Sequence, residues 1–452
     1  MKTILQKILT VLAKMYLAKY KPKIVAVTGN TGKTSTKEQI AAVLGSAKKI
    51  RMSGGNLNNE LGVPLAIIGD FTKEYYEKGG TVGFWLKVLF KAKIGLLFRQ
   101  GYPEILVLEY GADRPGDITK LAKNFKPDVA VVTTIGEIPV HVEYFSGPEE
   151  LAEEKSKLVQ TLDTTDFAVL NYDDPAVLAM KEKTKAKVKF FGFGDGAEVR
   201  VSDFDFKVGP NGEPEGVVFK IHHISQSAIY PLENSRAISR GSRVGDMADW
   251  LEVKLNSSLG KSQAWAAAAA AAVGLIFGLN LVKISDALSA YRGPAGRLKI
   301  LKGIKNSFLI DDTYNASPSS THLALETLKE LPAKRKIAVL GDMLELGKYS
   351  IQAHRDAGNF AGTLADILIT VGSRAKFIAD AAGNQMSKEN IFSFDTSVEA
   401  GQKARELVQE GDLVLIKGSQ GIRMEKIVEE IMAEPEKKKE LLVRQSKKWI
   451  SK

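Results

Sequence analysis

Cysteine is absent from the 452 residues of this chain, and histidine occurs only five times. The absence of cysteine excludes disulfide bonds, thiolate zinc sites, iron–sulfur clusters and a cysteine nucleophile, and it fits a reducing cytosol. No run of about 18 apolar residues occurs, so the sequence predicts no membrane-spanning helix. We therefore expect a cytoplasmic protein whose chemistry depends on oxygen and nitrogen groups.

Acidic residues are absent from the start of the chain, where none precedes Glu38. Lysines recur there between apolar residues at helical spacing, namely Ile4, Ile8, Val11, Leu12, Met15 and Tyr16. The pattern predicts an amphipathic helix over residues 1–22 with a basic face. A second basic and apolar stretch runs from Phe84 to Arg99. Both stretches fit the inner surface of an anionic membrane. The alternative is that both pack on the globular body and point their lysines at water.

The rest of the composition is that of an ordinary globular protein. Hydrophobic residues at 44% and charged residues at 26% exclude a mainly disordered or fibrous chain. The 63 Lys and Arg against 53 Asp and Glu give a net charge of +10, which favours anionic partners. Nucleic acid is disfavoured among these partners, because the basic residues lie on amphipathic helices without a recognised reading motif.

Short β-branched runs alternate with helical patterns, which predicts parallel α/β architecture. In the first half the predicted strands are Ile24–Val27, Ile105–Leu108, Val129–Thr133, Ala168–Leu170 and Val188–Phe191. Residues 199–255 alternate and are rich in Gly and Ser, which predicts a small antiparallel sheet, and Gln263–Phe277 predicts a helix. The composition breaks near Tyr291–Gly296. Beyond the break the predicted strands are Phe308–Ile310, Ile337–Leu340, Ile367–Val371, Ile391–Phe394 and Leu413–Ile416.

A phosphate-binding loop follows the first of these strands. Its residues are Thr28, Gly29, Asn30, Thr31, Gly32, Lys33, Thr34 and Ser35, and a helix follows from about Lys37. Glycines let backbone N–H groups converge on phosphate oxygens at the positive end of the helix dipole. Lys33 is expected to neutralise the phosphates, and the Thr34 hydroxyl is expected to hold Mg²⁺. The general form of such a loop has glycine at position 27, whereas here the glycine is Gly29.

Three further side chains are candidates for a site beside the phosphates. Glu109 ends a predicted strand, at the edge where ligands bind to α/β sheets, and it offers a hard oxygen to Mg²⁺. His141 follows the next strand. Lys155 lies in the apolar stripe of a helix that a capping box at Ser146–Glu149 predicts, and a lysine there is costly unless it is paired or chemically changed. The alternatives are a solvated carboxylate, an ordinary histidine and a lysine that reaches the rim.

The form Thr28-Gly29-x-x-Gly32-Lys33-Thr34 resembles the Mur ligase family, whose members make amide bonds during cell-wall (peptidoglycan) precursor synthesis. The order of Glu109, His141 and Lys155 is similar to that of the family as well. The resemblance implies that these three residues and Thr34 hold Mg²⁺, with Lys155 carbamylated. It also implies catalytic roles for Lys33, Glu109, His141 and Lys155.

Further segments carry the same resemblance: Asn56–Pro64, Gly296–Leu298, Asp311–Pro318, Leu340–Gly347 and Lys417–Ser419. The last three of these segments resemble most the family member that joins D-alanyl-D-alanine to UDP-N-acetylmuramoyl-tripeptide. The resemblance implies ATP contacts from Arg297, Asp312 and Tyr314, and substrate contacts from Asn56, Asn58, Asn59, Asn315, Asp342 and Lys417.

The sequence departs from the family pattern in two places. Only the amphipathic segment precedes Lys23, where the family has a first domain that holds UDP. The helix opening at Gly260–Ala266 also lacks the His-Asn pair that the family commonly has near adenine. The first departure concerns the nucleotide part of the substrate, and the second concerns how adenine is read.

The sequence therefore predicts a basic amphipathic helix at 1–22, a P-loop ATPase domain at 23–293 that includes the antiparallel sheet, and a Rossmann-like domain at 294–452. The expected activity is ligation with ATP and Mg²⁺ by a monomer, which adds D-Ala-D-Ala to a muramoyl-tripeptide precursor through an acyl phosphate. One alternative is another Mur-like ligase, acting on folate-type glutamates or another peptide. A second alternative is a membrane-associated P-loop ATPase that is not a ligase.

Overall fold

The computed structural model describes residues 2–55, 57–98, 101–210, 212–223, 250–446 and 449. In this part of the chain the architecture is mixed α/β, with two sheets that are mostly parallel. The first sheet is formed by strands from the first 256 residues, and the second by strands from residue 299 onward.

The first sheet has nine strands in the order β2-β3-β1-β4-β5-β6-β7-β8-β9. They are β1 (Lys23–Thr28), β2 (Ile50–Met52), β3 (Ile105–Glu109), β4 (Val129–Val132), β5 (Phe167–Asn171), β6 (Lys187–Gly192), β7 (Val199–Val208), β8 (Pro214–His223) and β9 (Trp250–Asn256). Pairing is parallel from β2 through to β7 and antiparallel between β7, β8 and β9. The antiparallel strands predicted over 199–255 thus continue the parallel sheet, and residues 224–249 of that prediction lie outside the described residues.

The second sheet has six strands in the order β10-β11-β15-β12-β13-β14. They are β10 (Lys299–Lys302), β11 (Phe308–Asp312), β12 (Arg335–Gly341), β13 (Ile367–Val371), β14 (Ile391–Phe394) and β15 (Asp412–Lys417). Only the edge strand β10 is antiparallel to its neighbour. The carboxyl ends of β11, β12 and β15 therefore meet at one edge, where ligands bind in such sheets.

The α-helices of the first part are α1 (Lys2–Tyr20), α2 (Lys33–Gly45), α3 (Gly62–Ile68), α4 (Thr72–Lys78), α5 (Val82–Leu97), α6 (Asp117–Asn124), α7 (Pro148–Gln160), α8 (Pro175–Leu178), α9 (Lys261–Ile276) and α10 (Leu281–Ala290). Those of the second part are α11 (Pro318–Glu330), α12 (Ser350–Gly362), α13 (Lys376–Ala382), α14 (Ser397–Leu407), α15 (Glu425–Ile431) and α16 (Lys438–Leu441). None of these helices is both long and apolar enough to cross a bilayer, as far as the described residues extend.

The core of the first part lies on both faces of β1, β3 and β4. Each residue of β4 is buried, as parallel strands between two helical layers require. On one face, the alanines of α9 pack in the same cluster as Ile40, Val43 and Leu44 of α2. Small side chains let the two helices approach closely: a Cβ on Gly274 would lie 2.8 Å from Val43. This packing fixes α2, and with it the loop that precedes α2.

Helix α1 forms as predicted, but its orientation differs from the prediction. Leu9, Ala13 and Tyr16 face the core and are at most 4% exposed, whereas Ile4 is 64% and Val11 57% exposed. The helix is apolar on two sides, and spacing alone does not tell which side meets the core. Most of the apolar set that the sequence singled out therefore lies on the outer surface.

The capping box predicted at Ser146–Glu149 does not form. Helix α7 begins at Pro148 with Gly147 as its N-cap, and no side chain caps it. The backbone N–H of Ser146 instead donates to Glu150 at 2.6 Å. Proline fixes the start of the helix, because its missing N–H is not needed in the first turn.

Candidate functional site

The phosphate loop spans residues 29–32, between β1 and α2. Gly29 has φ of +140° and Gly32 has φ of +85°, conformations that favour glycine. A Cβ on Gly29 would stand 2.0 Å from Thr133 Oγ1, so the close approach to the end of β4 also requires glycine. The loop therefore delivers the chain to the first turn of α2, whose free N–H groups can bind anions.

Hydrogen bonds hold the loop against the carboxyl end of β4. The N–H groups of Asn30 and Thr31 donate to Thr134 O at 2.7 and 3.1 Å. Thr133 Oγ1 donates to Thr31 O at 2.7 Å, and Lys33 Nζ donates to Gly29 O at 3.0 Å. Burial lowers the pKa of Lys33, and the Glu109 charge opposes this effect. The loop carbonyl that Lys33 contacts and the Glu109 carboxylate thus favour its charge, whereas burial opposes it.

Glu109, the last residue of β3, lies at the centre of the predicted site. Its Oε2 accepts from Thr34 Oγ1 at 3.2 Å, and its Oε1 accepts from Asn58 Nδ2 at 3.2 Å. Lys37 Nζ lies 3.5 Å from Oε2. Burial raises the pKa of Glu109, but the charges of Lys37 and Lys33 outweigh burial and hold it below its usual range. A charged carboxylate beside a hydroxyl is a donor set that suits Mg²⁺.

Lys155 lies on the buried side of α7 and is 2% exposed. Burial, and to a smaller extent the charge of Lys33, lower its pKa to about 7. Asp113, Glu154 and Glu109 act in the opposite direction. A large fraction of this lysine is therefore neutral at physiological pH, which is the form that reacts as a nucleophile.

His141 has a left-handed backbone, with φ of 70°. Its Nδ1 lies 2.8 Å from Glu345 Oε2, which belongs to the second part of the chain, and its Nε2 lies 3.5 Å from Asp113 Oδ1. Within the described residues no group of three or more His, Asp or Glu side chains is arranged to hold a metal ion. The structure thus brings Thr34 and Glu109 together, and the metal roles of His141 and Lys155 stay predictions.

Arg297 joins the two parts of the chain at this site. Its Nη2 donates to Thr34 Oγ1 at 3.3 Å, and its guanidinium lies 3.9 Å from the centre of the Tyr314 ring. A cavity lies where the two parts of the chain meet. Its lining includes Asn30, Lys33, Thr34, Glu109, Arg297, Tyr314 and Asn315. Two buried donors there, Asn30 Nδ2 and Arg297 Nε, have no hydrogen-bond partner in the part of the chain that the structure describes. Such donors fit the oxygens of a phosphate.

Asp312 and Lys417 end two neighbouring strands of the second sheet. Lys417 Nζ lies 2.6 Å from Asp312 Oδ2 and donates to Asn315 O at 3.0 Å. Asp312 Oδ1 accepts from the N–H of Leu298 at 3.3 Å. Both residues line a cavity that also includes Thr31, Ser35 and Arg297.

The remaining predicted residues lie farther apart. Asn59 Oδ1 accepts from the N–H groups of Leu61 and Gly62 at the start of α3. Asn58 and Asn59 line a cavity of about 280 Å³ with Gln6, Tyr76 and Asp113 among others. The carboxylate of Asp342 is buried and accepts from the N–H of Ala375 at 2.7 Å. Asn56 lies outside the described residues.

Sequence reasoning missed several side chains of the site. Lys37 follows Thr34 by three residues, so both lie on the same face of α2 and both reach Glu109. Gln263 Nε2 donates to Arg297 O at 3.2 Å, from the helix opening that lacks the family's His-Asn pair. The spacing contained a signal for Lys37, whereas only tertiary packing places Gln263.

Comparison with known proteins bears on the whole chain. Residues 92–230 match the Mur ligase middle domain, and residues 296–420 match the domain described as Mur ligase, glutamate ligase domain. The UDP-N-acetylmuramoyl-tripeptide–D-alanyl-D-alanine ligase of Bacillus subtilis (strain 168) is 28% identical over 426 residues, which cover 94% of this chain and 79% of that one.

A ligase of the same name from Mycobacterium leprae (strain TN) is 30% identical over 420 residues, covering 88% of this chain and 71% of that one. The crystal structure of the MurF ligase of Thermotoga maritima in complex with ADP superposes with a TM-score of 0.74 at 26% identity, covering 96% of this chain and 84% of that one. With both domain matches and a relative of this identity and coverage, the chain belongs to the Mur ligase family.

Proposed function

We propose that the chain is an ATP-dependent, ADP-forming ligase that joins the terminal carboxyl of UDP-N-acetylmuramoyl-tripeptide to the amine of D-alanyl-D-alanine. The observation that carries the proposal is the convergence of Lys33, Thr34 and Glu109 from the first part of the chain with Arg297 from the second. The names of the B. subtilis and M. leprae relatives and the ADP in the T. maritima structure support it.

Phosphate binding is the first task of these residues. The glycine-rich turn presents backbone N–H groups and the start of α2 to the phosphates, and Lys33 supplies a positive charge. Arg297 reaches the same cavity from the second part of the chain, and its Nε is buried. Its guanidinium is planar and oriented by the Tyr314 ring, so it is suited to two phosphate oxygens at once. The cavity thus brings positive charge from both parts of the chain to the triphosphate.

The reaction has two balanced steps. An oxygen of the substrate carboxylate bonds to the γ-phosphorus while the bond from that phosphorus to ADP breaks, which gives an acyl phosphate and ADP. The D-Ala-D-Ala amine then bonds to the acyl carbon, phosphate leaves, and the amine loses one proton. Both steps build negative charge on phosphate oxygens. Lys33 and Arg297 stabilise that charge and hold the reactants in place.

Mg²⁺ fits the oxygen donors of Thr34 and Glu109, which the structure places 3.2 Å apart. When bound there it neutralises phosphate charge as a Lewis acid. We propose that His141 and a carbamylated Lys155 complete the set. Carbamylation consumes CO₂: the neutral amine of Lys155 bonds to its carbon and releases one proton. The buried position of Lys155, and the carboxylate-like product, suit a site that already contains Glu109.

We assign the substrate contacts to the cavity beside Asn58 and to the side of the phosphate site that the second sheet forms. Asn58 and Asn59 line that cavity, and we assign it to the muramoyl-tripeptide, because Asn58 also bonds Glu109. Asn315 and Lys417 lie on the side of the second sheet with Arg297. This side is assigned to ATP and to the incoming dipeptide, together with Asp312, Tyr314 and Asp342.

The test is ATP turnover with UDP-N-acetylmuramoyl-tripeptide, with and without D-Ala-D-Ala, and mass detection of the product. We expect phosphate release that requires both substrates. The product should be heavier than the tripeptide precursor by the mass of D-Ala-D-Ala less one water. ATP turnover that depends on neither substrate would support an ATPase without ligase activity and would contradict the proposal. Turnover that instead requires a folate-type carboxyl substrate and glutamate as the amine would support the folate-type alternative.

Lys33→Ala is the matching variant. We expect ligation to fall by about a hundredfold or more, since a preorganised charge at the transferred phosphate is lost. The control is Lys181→Ala, an exposed lysine far from the loop in sequence, which is expected to leave the rate unchanged. Full ligation by Lys33→Ala would exclude the assignment of the loop.

A further inference from the structure

Exposed apolar side chains are concentrated on two helices of the molecule. Nine of the fifteen large apolar side chains that are exposed in the described residues belong to α1, to α5 or to the residue that follows α5. These nine form what we call the outer face: Ile4, Ile8, Val11, Met15, Val82, Leu86, Phe90, Leu97 and Phe98. Ordinary surfaces scatter such residues singly, whereas here they are concentrated on two helices that contact each other.

The two helices of the outer face pack against each other as a unit. Tyr16 Oη donates to Ala92 O at 3.0 Å, and Lys19 Nζ donates to Leu96 O at 2.8 Å. A Cβ on Gly95 would lie 2.0 Å from Tyr16 Oη, so glycine permits the contact. Since the inner sides of both helices are buried in one cluster, the outer face is held in place by the core.

The exposed charged side chains of α1 and α5 are positive, and one of them, Lys87, is paired with Glu74 of α4 at 2.7 Å. Neither residues 1–37 nor residues 78–103 contain an Asp or a Glu. Lys7, Lys14 and Lys21 of the first segment and Lys91 and Lys93 of the second are exposed. Helices with an apolar face flanked by lysines bury the apolar side chains at the headgroup boundary and attract anionic headgroups.

We propose that the outer face of α1 and α5 docks on a membrane surface that contains anionic lipids. A second copy of the chain is a poor occupant, because it would present the same lysines and the two faces would repel. Nucleic acid would meet the lysines but would leave nine large apolar side chains without a partner. An anionic bilayer satisfies both sets at once. This docking is separate from ligation and involves no residue of the phosphate site.

The test is flotation of the full chain with vesicles of an equimolar mixture of phosphatidylglycerol and phosphatidylcholine, compared with pure phosphatidylcholine. We expect binding to the anionic vesicles, weakened by high salt because charge contributes to it. Equal binding to both kinds of vesicle, or no binding to either, would overturn the proposal.

Two variants locate the contact. Ile8→Ser combined with Phe90→Ser is expected to lower the vesicle partition coefficient about tenfold or more, because two exposed apolar groups are lost. Lys7→Glu combined with Lys14→Glu is expected to abolish the preference for anionic lipid. The matched control is Ile351→Ser with Val398→Ser, which removes apolar side chains that are 48% and 52% exposed elsewhere.

Ligation without vesicles provides a check on folding, and all three double variants are expected to keep it. Loss of vesicle binding by the control pair as well would contradict docking through this face. A concentration-dependent dimer that dissociates in the variant Ile8→Ser with Phe90→Ser would also contradict it, since a second copy would then cover the outer face. Vesicle binding needs no ATP and no substrate, so failure here leaves the ligase proposal intact, and the reverse also holds.

Discussion

Lys155 and Lys417 are both 2% exposed, but the groups around their ammonium nitrogens differ. On the second sheet, Lys417 forms an ion pair of 2.6 Å with Asp312. In the first part of the chain, the carboxylates that act on Lys155 of α7 do so through space, and no ion pair to its ammonium occurs among the described residues. Burial lowers the pKa of each, but for Lys417 a bonded carboxylate opposes the effect directly.

The comparison teaches that burial alone does not define the role of a lysine. A buried ammonium with a bonded carboxylate is a structural unit, since neither partner is stable there without the other. A buried amine without such a partner is held close to neutrality and is open to chemistry. We therefore expect removal of Lys417 to lower stability in addition to any loss of substrate contact, and removal of Lys155 to lower catalysis without a loss of stability.

The largest effect is expected from Lys417→Met. Removal of the ammonium leaves Asp312 buried and unpaired, which costs about 3–5 kcal/mol in the free energy of unfolding. Urea unfolding followed by circular dichroism measures the change. The double variant Lys417→Met with Asp312→Leu removes both charges and is expected to recover much of the loss. If the single variant is as stable as the wild type, the pair is not a structural unit and the contrast fails.

The next effect is expected from Lys155→Met. The rate of ligation should fall by about a hundredfold to a thousandfold, because a group that positions charge at the phosphate is lost. The free energy of unfolding should stay the same or rise, since the thioether carries no buried amine. Steady-state kinetics and urea unfolding of one preparation give both numbers.

Added formate or acetate distinguishes whether Lys155 acts as a carbamate or as a plain amine. In the Lys155→Met variant, a small carboxylate that enters the space beside the substituted side chain should restore part of the rate, as it replaces the carboxylate-like group. Methylamine should not restore it. Rescue by methylamine instead would mean that the amine itself acts, and the carbamate would be excluded.

The smallest effect concerns pH and stability in CO₂-free buffer. Folding lowers the pKa of Lys155 from 10.5 to about 7. Between these values the unfolded chain binds one more proton than the folded chain, so the free energy of unfolding rises with pH. Relative to Lys155→Met, the slope should be about 1 kcal/mol per pH unit, with no difference in slope below pH 7. A flat difference from pH 7 to 10 would show that Lys155 stays charged.

Much of the sheet structure could be predicted from the sequence. The strands Ile367–Val371 and Ile391–Phe394 have the predicted bounds. The first is buried throughout, as parallel strands inside a sheet are, whereas the second is a partly buried edge strand of mostly apolar residues. The sequence did not reveal β2 and β10, which are short strands at the edges of the sheets and are only partly buried. The antiparallel strands β7 and β8 alternate as predicted, but the pairing of β7 with β6 depends on the order of strands in the sheet.

The candidate site could be predicted less completely. The structure brings the loop and Glu109 together, because each follows or ends a strand and carboxyl ends share an edge. Arg297 precedes β10 and reaches Thr34 from the second part of the chain. His141 turns its ring towards Glu345, and that contact depends on how the two parts of the chain pack. For Ser146, the capping pattern was present, but Pro148 and Gly147 determine where α7 begins.

Helix α1 has a second consequence through Gln6. Gln6 lines the cavity of about 280 Å³ that also contains Asn58, while Ile4 and Ile8 of the same helix face outward. An α-helix with its side chains is about 10–12 Å across, so a single helix separates the cavity from the outer face. One helix thus provides both a wall of the cavity and part of the outer face. A substitution at Gln6 therefore changes the cavity and leaves the outer face as it is.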